Sequence, residues 1–478
     1  MAKHDKPENV LAAPEEVLST MNQDGSRRWI YPKLSQGVWL KRRKLVGWAL
    51  IVLFFGTPWV RIGGEPALLL DVVHRRFSIL GQVFYATDTA LLMLLGITLV
   101  FGVVWMTALF GRVWCGWGCP QTVYMEFVFR PIDRLIEGTE RERSKLAERE
   151  WDADKIKRKS AKYAIYTAIA AAMSHTFVAY FVGWEALQAW MFGPPSEHWP
   201  FFLLMGGTTA LVVFDFAYFR EQMCTIACPY ARLQSVLLDK DSMIVSYDAG
   251  RGEARGAPKA RLSAEAKAGL GDCIDCGACV RTCPTGIDIR NGLQLECLGC
   301  TQCIDACDAI MIKMDRPVGL IRYTSENALA GSPARILRPR VLVYTGLMML
   351  FSGMLAFGWA RTGGLDVDVI RATGAPFVML PDGTVANRVK ARMQNRGAQA
   401  RDVQMTISEP EGATLRLVGA DSVTLKPGQM KRVEAWIIVP RAAFEGGQSS
   451  AKLSFGDGED TEVMDFALVG PEGPARGE

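Results

Sequence analysis

Cys273-Ile-Asp-Cys276-Gly-Ala-Cys279-Val-Arg-Thr-Cys283-Pro284 and, after residues 284–296, Cys297-Leu-Gly-Cys300-Thr-Gln-Cys303-Ile-Asp-Ala-Cys307 decide how the rest of the chain is read. Each run has the spacing C-x2-C-x2-C-x3-C. A tight loop of that spacing wraps three thiolates around one cubane cluster, while the fourth, a turn later, reaches the neighbouring cluster. One 4Fe-4S cluster is therefore expected on Cys273, Cys276, Cys279 and Cys307, and a second on Cys297, Cys300, Cys303 and Cys283. The small residues Gly277, Ala278, Gly299 and Ala306 leave room for backbone N–H groups to approach the cluster sulfurs. Tetrahedral zinc also uses paired C-x2-C, but zinc motifs rarely add a third Cys at the same interval or repeat the whole run.

Residues 271–316 resemble bacterial two-cluster ferredoxins, with one departure: Asp308 stands where proline usually follows the second run. Two adjacent clusters make a one-electron wire. All twelve cysteines lie between Cys115 and Cys307. The other four form Cys115-Gly-Trp-Gly-Cys119-Pro120 and Cys224-Thr-Ile-Ala-Cys228-Pro229, two C-x3-C-P motifs that each follow an apolar stretch, the pattern of an internal repeat. Proline pushes the preceding Cys out of helical conformation and can begin the next helix, leaving a thiol where the thiolate is favoured. Four such sulfurs would suit Cu(I), zinc, another cluster or a redox-active dithiol pair, and buried cysteines that only pack are the remaining reading.

The chain of 478 residues is long enough for about three domains at roughly 150 residues each. Its apolar residues are concentrated into five expected spans, 45–60, Thr89–Phe110, 163–184, 201–219 and 341–360. Basic residues set direction: Lys41, Arg42, Arg43 and Lys44 precede the first span, residues 112–162 carry twelve Lys and Arg, and residues 185–200 carry none. The positive-inside bias puts the amino terminus, residues 112–162 and residues 220–340 in the cytoplasm, and everything after Arg361 on the opposite face. The polar start, with Lys3, Lys6, Pro7, Glu15, Asp24, Arg27 and Arg28, predicts no removable signal peptide, and a net charge of +4 gives no reason to expect nucleic acid as a partner.

Trp59, Trp114, Trp117, Trp184 and Trp190 read as interfacial anchors. Asp215, inside the fourth span, is either a functional carboxylate or one that reaches the headgroup layer. His4, His74, His175 and His198 show no paired metal spacing, and His175, in mid-span, is expected to make an interhelical hydrogen bond.

After Arg361 the sequence alternates in short runs: 386–393, 403–407, 413–418, Ser422–Leu425, 432–439, 451–455 and 462–468. Seven strands with Gly, Pro and Asp turns predict an immunoglobulin-like sandwich. Met393, Met405, Met430 and Met464 fall in or beside strands and are expected to pack its core.

The domain order is thus 1–44, a cytoplasmic segment; 45–248, a four-helix membrane domain; 249–262, a linker; 263–325, an α+β two-cluster ferredoxin insert; 326–340, a linker; 341–360, the last transmembrane helix; and 361–478, the all-β domain. This order resembles the FixG/CcoG/RdxA family of cytochrome c oxidase accessory proteins. Arg28-Trp29-Ile30-Tyr31-Pro32 and the string from Gly111-Arg112-Val113-Trp114-Cys115 through Cys119-Pro120-Gln121-Thr122-Val123 look like family signatures. The resemblance implies a multi-pass protein of the bacterial inner membrane with a periplasmic tail. It implies a role in assembly of cbb3-type oxidase, with reduction of Cu(II) to Cu(I), copper or redox chemistry at Cys115, Cys119, Cys224 and Cys228, and oxidase assembly factors or copper chaperones as partners. Quinol-linked electron transfer to another respiratory enzyme and membrane redox signalling are the alternatives it leaves open.

Overall fold

The computed structural model describes residues 19–22, 24–73, 75–85, 88–256, 269–333, 335, 337–361, 364–397, 399–419, 422–426, 428–456 and 461–472. His4, His74, the charged residues Lys3, Lys6 and Glu15, residues 257–262 of the first linker and residues 263–268 of the ferredoxin insert lie outside the described residues. The chain divides into two compact units: 1–57, 94–179 and 184–353 form the first, and 58–93, 180–183 and 354–478 form the second.

The uncharged stretch Thr89–Phe110 (α2), rich in Leu, Val, Ile and Met, forms one helix with mean hydropathy 2.3. Among the described residues four helical segments are long and apolar enough to cross a membrane: Thr89–Phe110, Ala153–Val182, Pro195–Phe219 and Pro339–Ala360. The expected first span differs. Val38–Gly56 (α1) is helical, but its first turns carry the four basic residues 41–44 and the helix stops before Thr57-Pro58, so its uncharged part is too short to qualify. Ala153–Val182 starts ten residues earlier than residue 163, because its Lys and Arg are good helix formers.

Each C-x3-C-P motif closes a π-helical turn, Trp114–Gly118 and Met223–Ala227. The Cys119 N–H donates to Trp114 O and the Cys228 N–H to Met223 O, both at 2.8 Å. Proline then excludes the helical region for the residue before it, so Cys119 (φ −66°, ψ 126°) and Cys228 (φ −71°, ψ 112°) are extended and Pro120 and Pro229 start new helices. Isolated π turns cluster at functional sites.

The ferredoxin insert is bracketed by an antiparallel pair, Ile244–Tyr247 with Ile321–Thr324, and each cysteine run feeds a helix, Ala278–Thr282 and Gln302–Lys313. The amino-terminal segment docks on those helices. The Lys33 N–H donates to Arg281 O at 2.8 Å, and the Trp39 and Leu40 N–H groups donate to the Asp305 carboxylate at 3.1 and 2.7 Å. Asp305 thus caps α1 from another helix, and a Cβ on Gly37 would stand 2.2 Å from its carboxylate.

In the second unit two sheets pack face to face. One runs Thr414–Leu417, Met430–Val439, Val385–Asn395, Leu365–Arg371, with Val378–Met379 also on Val385–Asn395; the other runs Ser422–Leu425, Arg401–Glu409, Gln448–Gly456, Thr461–Val469. Val389, Ala391, Met393, Leu425, Ile437, Leu453 and Phe455 are buried between them. All seven expected strands are present, with Leu365–Arg371 and Val378–Met379 in addition. Met393 and Met405 pack the core and Met464 lies against it, but Met430, the first residue of its strand, is exposed. A three-stranded sheet, Leu68–Asp71, Arg76–Ile79 and Gln82–Tyr85, joins the sandwich: Tyr85 Oη donates to Gly428 O at 3.0 Å and Arg396 pairs with Asp88 at 2.8 Å.

Candidate metal centres

The eight cysteines of the two runs line two small cavities. Cys273, Cys276, Cys279 and Cys307 line one, and Cys283, Cys297, Cys300 and Cys303 line the other together with Cys279. The fourth cysteine of each run therefore crosses to the cavity of the other. The two loops share one backbone path: Asp275 and Gly299 occupy one left-handed position (φ 52° and 65°), and Gly277 and Thr301 the next (both 64°). Alternation of right- and left-handed residues turns successive N–H groups inward, the concavity that holds anions and iron–sulfur clusters. Asp275 and Thr301 escape a search for glycines.

The charges fit an anionic group. Arg43, fully buried, donates through Nε to Gly116 O at 2.6 Å, while Nη1 and Nη2 have no hydrogen-bond partner. Arg112, also buried, donates to Leu295 O and, at 2.8 Å, to Cys297 O. Burial pushes the Cys279 thiol up to about 11 and those of Cys300 and Cys307 up to about 12; Arg290 opposes this at Cys279 and Arg43 at Cys300. A tetrathiolate cluster replaces those protons with iron and gives the buried guanidinium groups a counter-charge.

The C-x3-C-P turns sit against the second loop. A Cβ on Gly116 would stand 2.7 Å from Gly299 O and 2.8 Å from Leu298 O. Cys115 is buried, with its Sγ 3.5 Å from Gln234 Oε1, and Cys119, Cys224 and Cys228 are half-buried. Burial, followed by the field of Cys119, pushes the Cys115 thiol up to about 12. Cys224 shares a small cavity with Gln121, Arg130, Glu221, Pro284 and Leu298. Among the described residues no three His, Cys, Asp or Glu side chains close on a single metal ion.

Beneath these turns lies a buried ion network that charge counting along the sequence missed. Asp133 meets Arg143 at 2.7 Å, Lys162 at 2.8 Å and Arg220 at 3.0 Å. Burial alone would raise the Asp133 carboxyl, yet these cations hold it well below the usual carboxylate range. Glu221 meets Arg27 at 2.9 Å, and Arg130 donates to Pro284 O at 3.1 Å, which ties the network to the Cys283 loop.

Asp215 accepts from Gln121 Nε2 at 3.1 Å. Trp117, expected as an anchor, instead donates to Tyr323 Oη at 3.3 Å and packs edge-on to Trp39, because its turn faces the ferredoxin insert. His175 bonds within its own helix, to Ala171 O at 2.7 Å, in place of the interhelical partner expected. It also shares an apolar pocket with His198, which stacks on Trp190.

Residues 219–326 match the family described as 4Fe-4S dicluster domain, residues 92–138 the 4Fe-4S binding domain, and residues 355–468 the IG-like fold at the C-terminus of FixG. The chain is 32% identical to Nitrogen fixation protein FixG of Rhizobium meliloti (strain 1021) over 503 residues, 94% of each chain. It belongs to the FixG/RdxA family. Two proteins of Cereibacter sphaeroides are each 33% identical: RdxB, over 93% of this chain and 95% of its own, and RdxA, over 82% and 84%. As a FixG/RdxA-family chain with 4Fe-4S domains and apolar helices, it is a membrane-associated iron–sulfur electron-transfer protein.

Proposed function

We propose that two 4Fe-4S clusters, one on Cys273, Cys276, Cys279 and Cys307 and one on Cys283, Cys297, Cys300 and Cys303, pass single electrons toward the C-x3-C-P turns, where Cu(II) is reduced to Cu(I) for assembly of a respiratory oxidase. The observation that carries this reading is the close packing of Gly116 against Gly299, which sets the thiols of the first turn beside the second cavity. The clusters supply one-electron chemistry when bound. The chain supplies the eight thiolates, inward-turned N–H groups and two buried guanidinium groups.

The charge asymmetry supports a cytoplasmic ferredoxin insert and a periplasmic tail. In the second unit Arg396 binds Asp88 and Trp359 packs on Phe84, so the segments before α2 and after the last helix share a face. The amino-terminal segment is bound to the ferredoxin helices, which supports α1 as a fifth crossing.

The test is anaerobic. Dithionite-reduced full-length protein should be reoxidised by Cu(II), with Cu(I) appearing in step. Cys224→Ser/Cys228→Ser should slow this while the two ferredoxin signals persist; failure of Cu(II) to reoxidise the protein refutes copper as acceptor. A second reading, oxidation of a membrane quinol, draws on the apolar pocket lined by His175, Leu187, Trp190, His198, Phe201 and Phe202. It requires quinol-dependent cluster reduction and indifference to copper.

A further inference from the structure

The two C-x3-C-P turns are one device used twice. Both are π turns closed by the second cysteine's N–H, both present that cysteine in extended conformation, and both lead through proline into a helix. The stretch 92–138 matches a 4Fe-4S binding family but contains only Cys115 and Cys119, half of what a cubane needs. The structure supplies the other half, because the second turn brings Cys224 and Cys228 to the first. Cys115 Sγ lies 3.5 Å from Gln234 Oε1 in the helix that Pro229 begins, and Cys224 shares a cavity with Gln121 and Thr122 of the helix that Pro120 begins.

We propose that Cys115, Cys119, Cys224 and Cys228 together hold a third 4Fe-4S cluster, placed between the two turns and next to the loop of the second ferredoxin cluster. The inference rests on the reading that the two cysteine runs hold iron–sulfur clusters, and it specifies what fills the thiol site of that reading. Two features argue for a cluster over a lone ion. The backbone N–H groups of Gln121 and Thr122 donate to the Cys119 sulfur, the hydrogen bonding that sets cluster potential. Arg112 lies in the field of both Cys115 and Cys297, so one buried cation serves this site and the second ferredoxin cavity. With Gly116 touching the Leu298-Gly299 backbone, the third centre is the station after the second cluster, and Cu(II) would be reduced at its edge without thiolate ligation.

The test counts metal and sulfide in full-length protein purified anaerobically in detergent. Three clusters give about twelve iron and twelve acid-labile sulfide per chain, and Cys115→Ser/Cys119→Ser/Cys224→Ser/Cys228→Ser brings this to about eight with the ferredoxin EPR signals retained. About eight iron in the native protein, with or without copper or zinc in proportion, overturns the third cluster and leaves the two-cluster reading standing. Native protein without iron overturns both. Should the fourfold variant fail to accumulate, the native count decides, and spin quantification of the dithionite-reduced native protein gives an independent answer: three spins support the proposal and two refute it.

Discussion

Gly116 and Gly299 touch backbone to backbone, one in the first C-x3-C-P turn and the other in the loop that lines the second cluster cavity. Neither can gain a side chain without displacing main chain, since Gly299 also has φ 65° and a Cβ there would lie 3.1 Å from Arg112 O. Gly116→Ala should cost roughly 1–3 kcal/mol of overpacking and disturb the second cluster before the first. EPR of the reduced variant checks this: the signal of the second centre should weaken or shift while that of the first stays unchanged.

Arg43 tests whether a buried cation tunes that centre. Arg43→Met removes positive charge near Cys300 and leaves Gly116 O without its donor. The added electron becomes harder to accept, so the second cluster's potential should fall by tens of mV, about 60 mV for every ~1.4 kcal/mol of lost interaction. Redox titration followed by EPR measures it; an unchanged potential would show that Arg43 only packs.

Asp133 binds three cations in a buried setting, so Asp133→Asn leaves uncompensated charge and should cost roughly 3–5 kcal/mol, read as a lower melting temperature in detergent. The pH dependence has a definite sign. Its folded pKa lies below the ordinary value of 3.8, so the stabilisation is fully present above that value and is lost as pH falls through the folded pKa. Between pH 7 and pH 5 this group should contribute no slope, and acid destabilisation that distinguishes the native chain from the Asn variant should begin only below about pH 4.

Asp305 caps α1 across the domain, so Asp305→Ala should cost about 0.5–2 kcal/mol and loosen residues 33–43, while Asp305→Asn keeps much of the cap. Limited proteolysis and hydrogen exchange of that segment report the difference. Equal protection in native and Ala proteins would mean that the Lys33 N–H bond to Arg281 O suffices to hold it.

The sequence made legible what is local. Spacing alone picks out the eight cysteines that the structure arranges around two cavities, and the alternation of 386–393 or 462–468 finds strands whose two faces differ. Leu365-Asp-Val-Asp-Val carries the same alternation, but its place directly after a span disguised it. What sequence could not show depends on distant partners. Arg43 and Lys162 count as positive-inside residues in one dimension, yet one sits buried beside Cys300 and the other pairs with Asp133. The left-handed Asp275 and Thr301 look like ordinary polar residues until the symmetry of the two loops is seen. The C-x3-C-P repeat was readable, but the meeting of its two halves needed the fold.

Cys283 separates the account from its rivals most directly, since it belongs to the first run by sequence and to the second cavity by position. EPR of dithionite-reduced, anaerobically purified Cys283→Ser protein should retain the centre of Cys273, Cys276, Cys279 and Cys307 and lose or alter the one held by Cys297, Cys300 and Cys303. Loss of the first centre with the second intact, or a native protein that contains zinc and no reducible iron, would contradict it.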